Sequence, residues 1–477
     1  MCPIFFDSFG KLHLHSNSIN TIFHLRCEKR RKKHSFHKID TKQLSIAQVI
    51  FEEDWLNQKA RESGWVKRNS PKIKPLNLLA SLIEESLRGS PSYNDLAANI
   101  ESNHGADSSR QAVALRLNER FEDFLKALLG HVISLKMADD TQAGRFANLN
   151  FRDYRRVLVQ DSTVIKLPLA LFPLFSGGSN GGSRVCNARI QAVYDLLSGQ
   201  LIEFTIDPYS KNDLAAAPEL EIREGDLVLR DRGYLTAGEM QRHCDAAADF
   251  IYRHKTRMIY LDVETGLAIN LSAILKRHGK LDMEVLLNNT ERTRVRLLAA
   301  PVPAEIANLR RMRAKKDTRG HNPSKELLEL MDWTIFITNI PADKATFKEI
   351  LDIYGLRWRI EVIFKAWKSH LKFDVLHRVS ERQLRILLKT RLLVIAAAAN
   401  LYRMIESVVW LKHRSRLSLL KFMKYLAASL TNLRRVTHSL VGGNQETAAL
   451  ERALARYCCY DKRKKRRNFT ETWEMLA

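Results

Sequence analysis

Ile353-Tyr354-Gly355-Leu356-Arg357-Trp358-Arg359-Ile360-Glu361-Val362-Ile363-Phe364-Lys365-Ala366-Trp367-Lys368 sets a single carboxylate, Glu361, among cations at helical intervals. Tyr354, Arg357, Glu361 and Lys368 follow one another at three, four and seven residues, which puts all four on roughly one face of a helix. Ile353, Ile360, Val362, Ile363 and Phe364 lie between them and are apolar enough to dock that helix on a core. An amphipathic helix with a solvated charged face explains the same periodicity. One carboxylate among cations on a packed helix also suits metal binding beside a phosphate chain, and spacing alone leaves both readings open.

Two acidic residues upstream sit in apolar strand patterns. Arg156 to Leu167 reads as a buried strand rich in β-branched residues, with Asp161 in its middle. An acid is rarely buried unless paired or bound to metal, so Asp161 needs an explanation. Gly225 to Tyr234 reads as a short apolar strand ending on Asp231 and a glycine turn. A helix is expected from Thr236, an N-cap type with Glu239 three residues on.

The pattern Tyr-x2-Arg-x3-Glu-x6-Lys from Tyr354 to Lys368, with Asp-x-Gly-Tyr from Asp231 to Tyr234, resembles the motifs of the insertion-sequence family four DDE transposases. The resemblance spans roughly residues 90–410 and keeps the family's motif order. It implies an α/β fold: an RNase H-like catalytic core with a β-rich insertion, preceded by a helical DNA-binding domain and followed by a helical C-terminal region. It implies a DNA transposase that binds terminal inverted repeats, cleaves at the ends and joins the 3′ ends to target DNA, cutting the second strand through a DNA hairpin. Asp161, Asp231 and Glu361 are the implied catalytic and metal-binding residues. Tyr354, Arg357 and Lys368 are the implied DNA contacts, with Arg232 and Tyr234 beside Asp231.

The chemistry gives three acids a purpose. Cleaving a phosphodiester needs an activated water and a stabilised leaving 3′ oxygen, which two divalent ions about 3.5–4 Å apart supply. Carboxylates suit Mg2+, with Mn2+ as its substitute. Asp161 is expected to bridge both ions, with Asp231 on one and Glu361 on the other. The alternatives are a DNA-binding repressor of transposition that has lost catalysis, and a divalent-metal nuclease without strand transfer. No departure at the three acids or at Tyr354, Arg357 and Lys368 favours the repressor.

A net charge of +24 and a pI near 9.8 point to a polyanionic partner. The resemblance implies that this partner is double-stranded DNA, both transposon ends and target, bound by a homodimer in a synaptic complex. No apolar run approaches the ~20 residues of a spanning helix; the best, Leu392 to Leu401, is flanked by Arg391 and Arg403. Met1 to Asn20 lacks a basic region followed by an apolar one, so no secretory signal is expected. Six scattered cysteines without a Cys-x2-Cys pair argue against zinc fingers and a disulfide framework. A cytoplasmic, nucleoid-associated bacterial protein without a membrane partner is expected.

Along the chain, residues 1–44 form a basic irregular arm and 45–149 a helical, helix-turn-helix-like DNA-binding domain. Residues 150–255 are the first part of the core, 256–341 the β-rich insertion, 342–410 the second part of the core, and 411–477 a helical region with a basic tail. In the N-terminal domain, Ser92 to Ile100, a turn at Asn103 to Asp107, and Ser108 to Leu117 read as helix-turn-helix. Ser109, Arg110, Gln111 and Arg116 fall on the second helix, where base edges are met.

Strands are expected over Arg184 to Leu196, Leu201 to Ile206 and Phe250 to Tyr252, with a helix around Asn212 to Glu221. Gly177-Gly178-Ser179-Asn180-Gly181 matches a nucleophile elbow by letters, but no strand enters and no helix leaves, so it reads as a loop over the active face. Trp333 stands 21 residues before Tyr354. That spacing is similar to the base-stacking tryptophan of the cut-and-paste relatives, although a strand tryptophan also serves as core.

Overall fold

The computed structural model describes residues 52–67, 73–134, 154–177, 183–217, 220–317, 322–428 and 445–461. The expected basic arm over 1–44, loop residues 178–182 and the basic tail after Asp461 lie outside the described residues.

The chain opens with α1 (Glu53–Glu62), α2 (Pro75–Arg88), α3 (Tyr93–His104), α4 (Arg110–Arg116) and α5 (Glu119–Ser134). The turn between α3 and α4 follows from local chemistry. Ser92 and Asp95 form a capping box at the start of α3, and Gly105 closes that helix at φ 61, a left-handed conformation that glycine takes without penalty. The Ser109 hydroxyl then accepts the Ala112 N–H and starts α4. Val113 and Leu117 are buried against the hairpin, while Arg110, Gln111 and Leu115 face outward.

Nine strands follow: β1 (Arg156–Lys166), β2 (Asn187–Asp195), β3 (Gln200–Pro208), β4 (Asp226–Arg230), β5 (Asp249–Arg253), β6 (Tyr260–Leu261), β7 (Leu281–Leu287), β8 (Arg294–Pro301) and β9 (Trp333–Thr338). They form one sheet in the order β3-β2-β1-β4-β5-β9-β8-β7-β6. β1, β2 and β3 are antiparallel, β4 runs parallel to β1, and β5 parallel to β4. β9 then pairs antiparallel with β5, so the strands of residues 256–341 extend the same sheet. β4 is buried at every position, as a central parallel strand requires. One core cluster runs from Val228 and Phe250 through Val285 and Leu297 to Ile337 beneath the extended half.

Short helices α6 (Asp213–Ala216), α7 (Ala237–Asp245), α8 (Leu271–His278), α9 (Ala304–Asp317) and α10 (Lys325–Leu330) connect the strands. Thr236 caps α7 by accepting the Glu239 N–H, as its sequence predicts. The helix expected over Asn212 to Glu221 shrinks to α6. Its C-cap, Ala217, is extended at ψ 132, because it precedes Pro218, whose ring disfavours the helical region for the residue before it.

After β9 come α11 (Phe347–Gly355), α12 (Trp358–Leu371), α13 (Glu381–His413), α14 (Leu419–Ala427) and α15 (Gln445–Tyr457). The single helix expected over Ile353 to Lys368 is therefore two. Gly355 is a poor helix former, and the junction tightens: Leu356 N–H donates to Ile353 at 3.0 Å and Arg357 N–H to Tyr354 at 3.1 Å, three residues back. Tyr354 stands one residue before the end of α11, and Arg357 is the N-cap residue of α12.

α13 contains the segment Glu381–Trp410, long and apolar enough to cross a membrane, yet 81% of its most apolar window is buried inside the protein. It is a core helix that joins the N-terminal helices to the sheet. On it Arg391, fully buried, donates to the carbonyls of Ser86 and Gly89 at the end of α2 and of Phe373 and Val375 after α12. Glu122 of α5 accepts from Arg385 and Lys389 of the same helix.

Candidate active site

Two of the three acids meet through strand register. β1 and β4 are parallel and Gln160 pairs with Arg230, so the next residue of each strand, Asp161 and Asp231, emerges beside the other. Asp231 sits where β4 ends and a single turn, Arg232–Tyr234, begins. Glu361 arrives from the first turn of α12, which packs against β1.

Arg357 binds the third acid to the first. Its Nη1 donates to Asp161 Oδ2 at 2.8 Å and its Nη2 to Glu361 Oε1 at 2.7 Å. The Ser162 N–H donates to Asp161 Oδ1 at 2.8 Å. Burial pushes the Asp161 carboxyl up to about 6; Arg357 and the Ser162 N–H pull it down, and the charges of Asp231 and Glu361 push it up again. The three carboxylates thus feel one another. They are not drawn into a ready cage: among the described residues no group of three His, Cys, Asp or Glu side chains stands close enough to hold an ion. The guanidinium, a cation between two of them, provides the compensating charge.

The other expected residues divide between scaffold and surface. Tyr354 is 8% exposed and its hydroxyl donates to the Arg230 carbonyl at 3.3 Å, steadying the residue before Asp231. Lys368 Nζ donates to the Val164 carbonyl at 2.8 Å, tying α12 to β1. Tyr234, expected at the DNA, is 1% exposed, with its hydroxyl on Gln191 at 2.6 Å. The apolar ring is better placed in the core than in solvent, and the glycine turn folds it inward. Arg232 stays exposed.

Arg232 and Trp333 share a cavity of about 470 Å³ with Arg253, His254, Arg310 and Arg313. Burial, and then the neighbouring Arg232, depress the affinity of Arg253 and of Arg310 for their protons. Arg310 also donates to the Trp333 carbonyl at 2.8 Å. The site therefore concentrates positive charge around a half-buried aromatic face, beside Asp231.

The profile of the transposase DDE domain family matches residues 154–397, the stretch that carries all three acids. The chain belongs to the DDE transposase family. Curated relatives agree. The transposase for insertion sequence element IS231E of Bacillus thuringiensis subsp. finitimus is 24% identical, over 76% of this chain and 80% of its own. The transposase for IS231C of Bacillus thuringiensis subsp. berliner is 25% identical over the same shares. The transposase for IS1151 of Clostridium perfringens is 22% identical over 75% and 80%. Among solved structures, a piggyBac transposase synaptic complex with hairpin DNA aligns at a TM-score of 0.42 and 10% identity, over 91% of this chain and 88% of that one. That likeness is too loose to bear on the site.

On α4 of the transposase, Ser109 is spent on capping, and the Arg116 carbonyl accepts the Trp65 indole N–H at 2.8 Å. Arg110 and Gln111 are exposed. Sequence reasoning missed Arg253 and Arg310, and Asp213, which accepts the Ser162 hydroxyl at 2.6 Å. A basic residue closing β5, next to the strand that ends on Asp231, was the available signal for Arg253, because ligands gather outside the carboxyl ends of parallel strands.

Proposed function

We propose that this insertion-sequence transposase binds the terminal inverted repeats of its element, cleaves at the ends and joins the 3′ ends to target DNA by transesterification, acting as a homodimer on the bacterial nucleoid. The observation that carries this reading is the parallel register of β1 and β4, which sets Asp161 beside Asp231 with Glu361 fastened to Asp161 through Arg357. The strand order β3-β2-β1-β4-β5, antiparallel on one side of β1 and parallel on the other, supports an RNase H-like core.

Three carboxylates fit a hard divalent cation such as Mg2+ or Mn2+, and Asp161, Asp231 and Glu361 would hold it. Bound there, such ions activate water and stabilise the leaving 3′ oxygen. The residues of the chain do the rest. Arg357 keeps Asp161 and Glu361 a guanidinium's width apart and sets a positive charge where the scissile phosphate must approach. Tyr354 of α11 holds the end of β4, and Lys368 of α12, the helix that carries Glu361, holds β1 near its C-terminal end. Trp333 offers a stacking face to a base that leaves the duplex, and Arg232, Arg253 and Arg310 neutralise its phosphates.

The test uses supercoiled DNA bearing the element's own ends. Nicking only with added magnesium or manganese, lost in Asp161→Asn, Asp231→Asn and Glu361→Gln while end binding persists, is the expected result. Binding without any cleavage makes the protein a repressor. Cleavage without joined products makes it a nuclease. Near-normal cleavage by any one amide variant removes that residue from the set.

A further inference from the structure

β1 runs on from Asp161 to Lys166, and its end opens into a separate cavity of about 480 Å³. Lys166 and Leu167 form one wall, and Asp374, Leu376, His377 and Arg378, on the loop after α12, form the other. Lys166, His377 and Arg378 are exposed. Neither Lys166 nor Arg378 has an ion-pair partner among the described residues. The one acid in the wall, Asp374, exerts its field on Lys368 and Arg391.

The loop is pinned rather than loose. Arg391 donates to the carbonyls of Phe373 and Val375, and the Ser90 hydroxyl donates to Val375 at 2.8 Å and accepts the His377 N–H at 3.0 Å. Arg378 is held at φ 51, a left-handed conformation that costs an arginine what it would not cost glycine. Strain kept at an exposed cation beside a cavity is a pointer to use. Ser90 stands two residues before Ser92, the cap of α3. The cavity therefore lies between the end of the Asp161 strand and the loop after α12, and Ser90 ties that loop to the segment leading into α3. Five residues of strand separate Asp161 from Lys166, roughly 17 Å at ~3.3 Å each, or about five base pairs of duplex at ~3.4 Å.

We propose that the cavity between Lys166 and Arg378 binds one backbone phosphate of the element-end duplex, about five base pairs from the cut, and so fixes the distance between the sequence that is read and the bond that is broken. The inference rests on the end-cleaving reading above. Two cations without carboxylate partners, on rigid supports, suit a phosphodiester, because phosphate contacts set register without reading sequence.

The experiment uses duplexes carrying the element's end with one methylphosphonate replacing each phosphate in turn, read by gel shift and by mapping of the cut. The full-length wild-type protein is compared with Lys166→Ala and Arg378→Gly. Wild type is expected to lose about tenfold in affinity at one phosphate, about four to six base pairs from the cut. Each variant is expected to lose a similar factor on unmodified DNA, to ignore that substitution, and to spread its cuts over neighbouring bonds. Arg378→Gly relieves the left-handed backbone, so its thermal midpoint should stay level or rise while affinity falls. A lowered midpoint alongside lost affinity marks a structural role and overturns the proposal. So do losses from variant and methylphosphonate that multiply, or the lack of any sensitive phosphate in that interval. Wild-type protein that shows the interference yet never cuts refutes the end-cleaving reading and leaves the phosphate site standing.

Discussion

Ser162 donates its hydroxyl to Asp213 across 2.6 Å, one residue beyond Asp161 on the same strand. Asp213 also pairs with Arg189 of β2, and its carbonyl accepts from Gln191 Nε2 at 3.0 Å. Gln191 Oε1 in turn accepts the hydroxyl of Tyr234, three residues after Asp231. One network thus grips the backbone beside both acids and sets their separation from outside the site.

Asp213→Asn should therefore weaken chemistry rather than binding. Affinity for element ends is expected to stay within about twofold while single-turnover cleavage falls about 10–100-fold, the usual effect of removing a partner that orients metal ligands. Asp213→Ala should also lower the thermal midpoint, because Arg189 is left partly buried without its charge. Cleavage at the wild-type rate in Asp213→Asn would remove the network from any part in catalysis.

Trp333→Ala should leave first-strand nicking nearly intact and selectively depress hairpin formation. Stacking of one base is worth about 1–3 kcal/mol, so the hairpin step should slow by about 5- to 150-fold. A duplex lacking the base at the extruded position should recover part of that loss, since nothing then needs unstacking. Trp333 also packs against the core cluster. If nicking and hairpin formation slow equally, packing is its whole role.

Arg110→Ala and Gln111→Ala should narrow the preference for element ends over random DNA, because base contacts specify and phosphate contacts position. Removing residues 1–40 should instead weaken binding to all DNA alike and flatten its dependence on salt. Competition gel shifts at several salt concentrations separate the two. Equal losses on specific and random DNA in the Arg110 variant would exclude α4 as the reading helix.

Acid should destabilise the protein through His243. Burial, with Arg230 nearby, holds that imidazole down at about 3, whereas an unfolded chain protonates it near ~6.5. Above that value both states are neutral and the group contributes nothing to pH dependence. Between the two values the unfolded state binds the extra proton, so stability falls as pH drops, by about 2 kcal/mol at pH 5 from this residue. His254, pushed down to about 4, acts in the same direction. Urea unfolding of His243→Gln at pH 5 and pH 7 should show a smaller difference than wild type; an identical difference would mean that His243 does not titrate on unfolding.

The strand carrying Asp161 was legible from its β-branched run, and the one running up to Asp231 from the glycine turn that follows it. Thr236 announced α7 through capping chemistry that is local in sequence. What escaped was set by distance along the chain or by competition between local rules. Asp213 lies 51 residues from Ser162, and no spacing rule connects them. The helical periodicity through Tyr354 and Glu361 was right on either side of Gly355 and wrong across it, since a periodic pattern does not reveal one tightened turn. The pairing of β5 with β9, Ile251 against Thr338, likewise bridges the whole segment that the resemblance marked off as an insertion.

Arg391 carries a consequence for how such an enzyme changes its taste for DNA. Its guanidinium is satisfied half by carbonyls from the end of α2 and half by carbonyls from the loop after α12. Cutting the N-terminal helices away, or grafting in those of a relative, would leave Arg391 buried with half its acceptors gone and the carbonyls of Ser86 and Gly89 without their donor. New end preferences in this lineage should therefore arise by substitution on the outward face of α4, residue by residue, rather than by exchange of a detachable head.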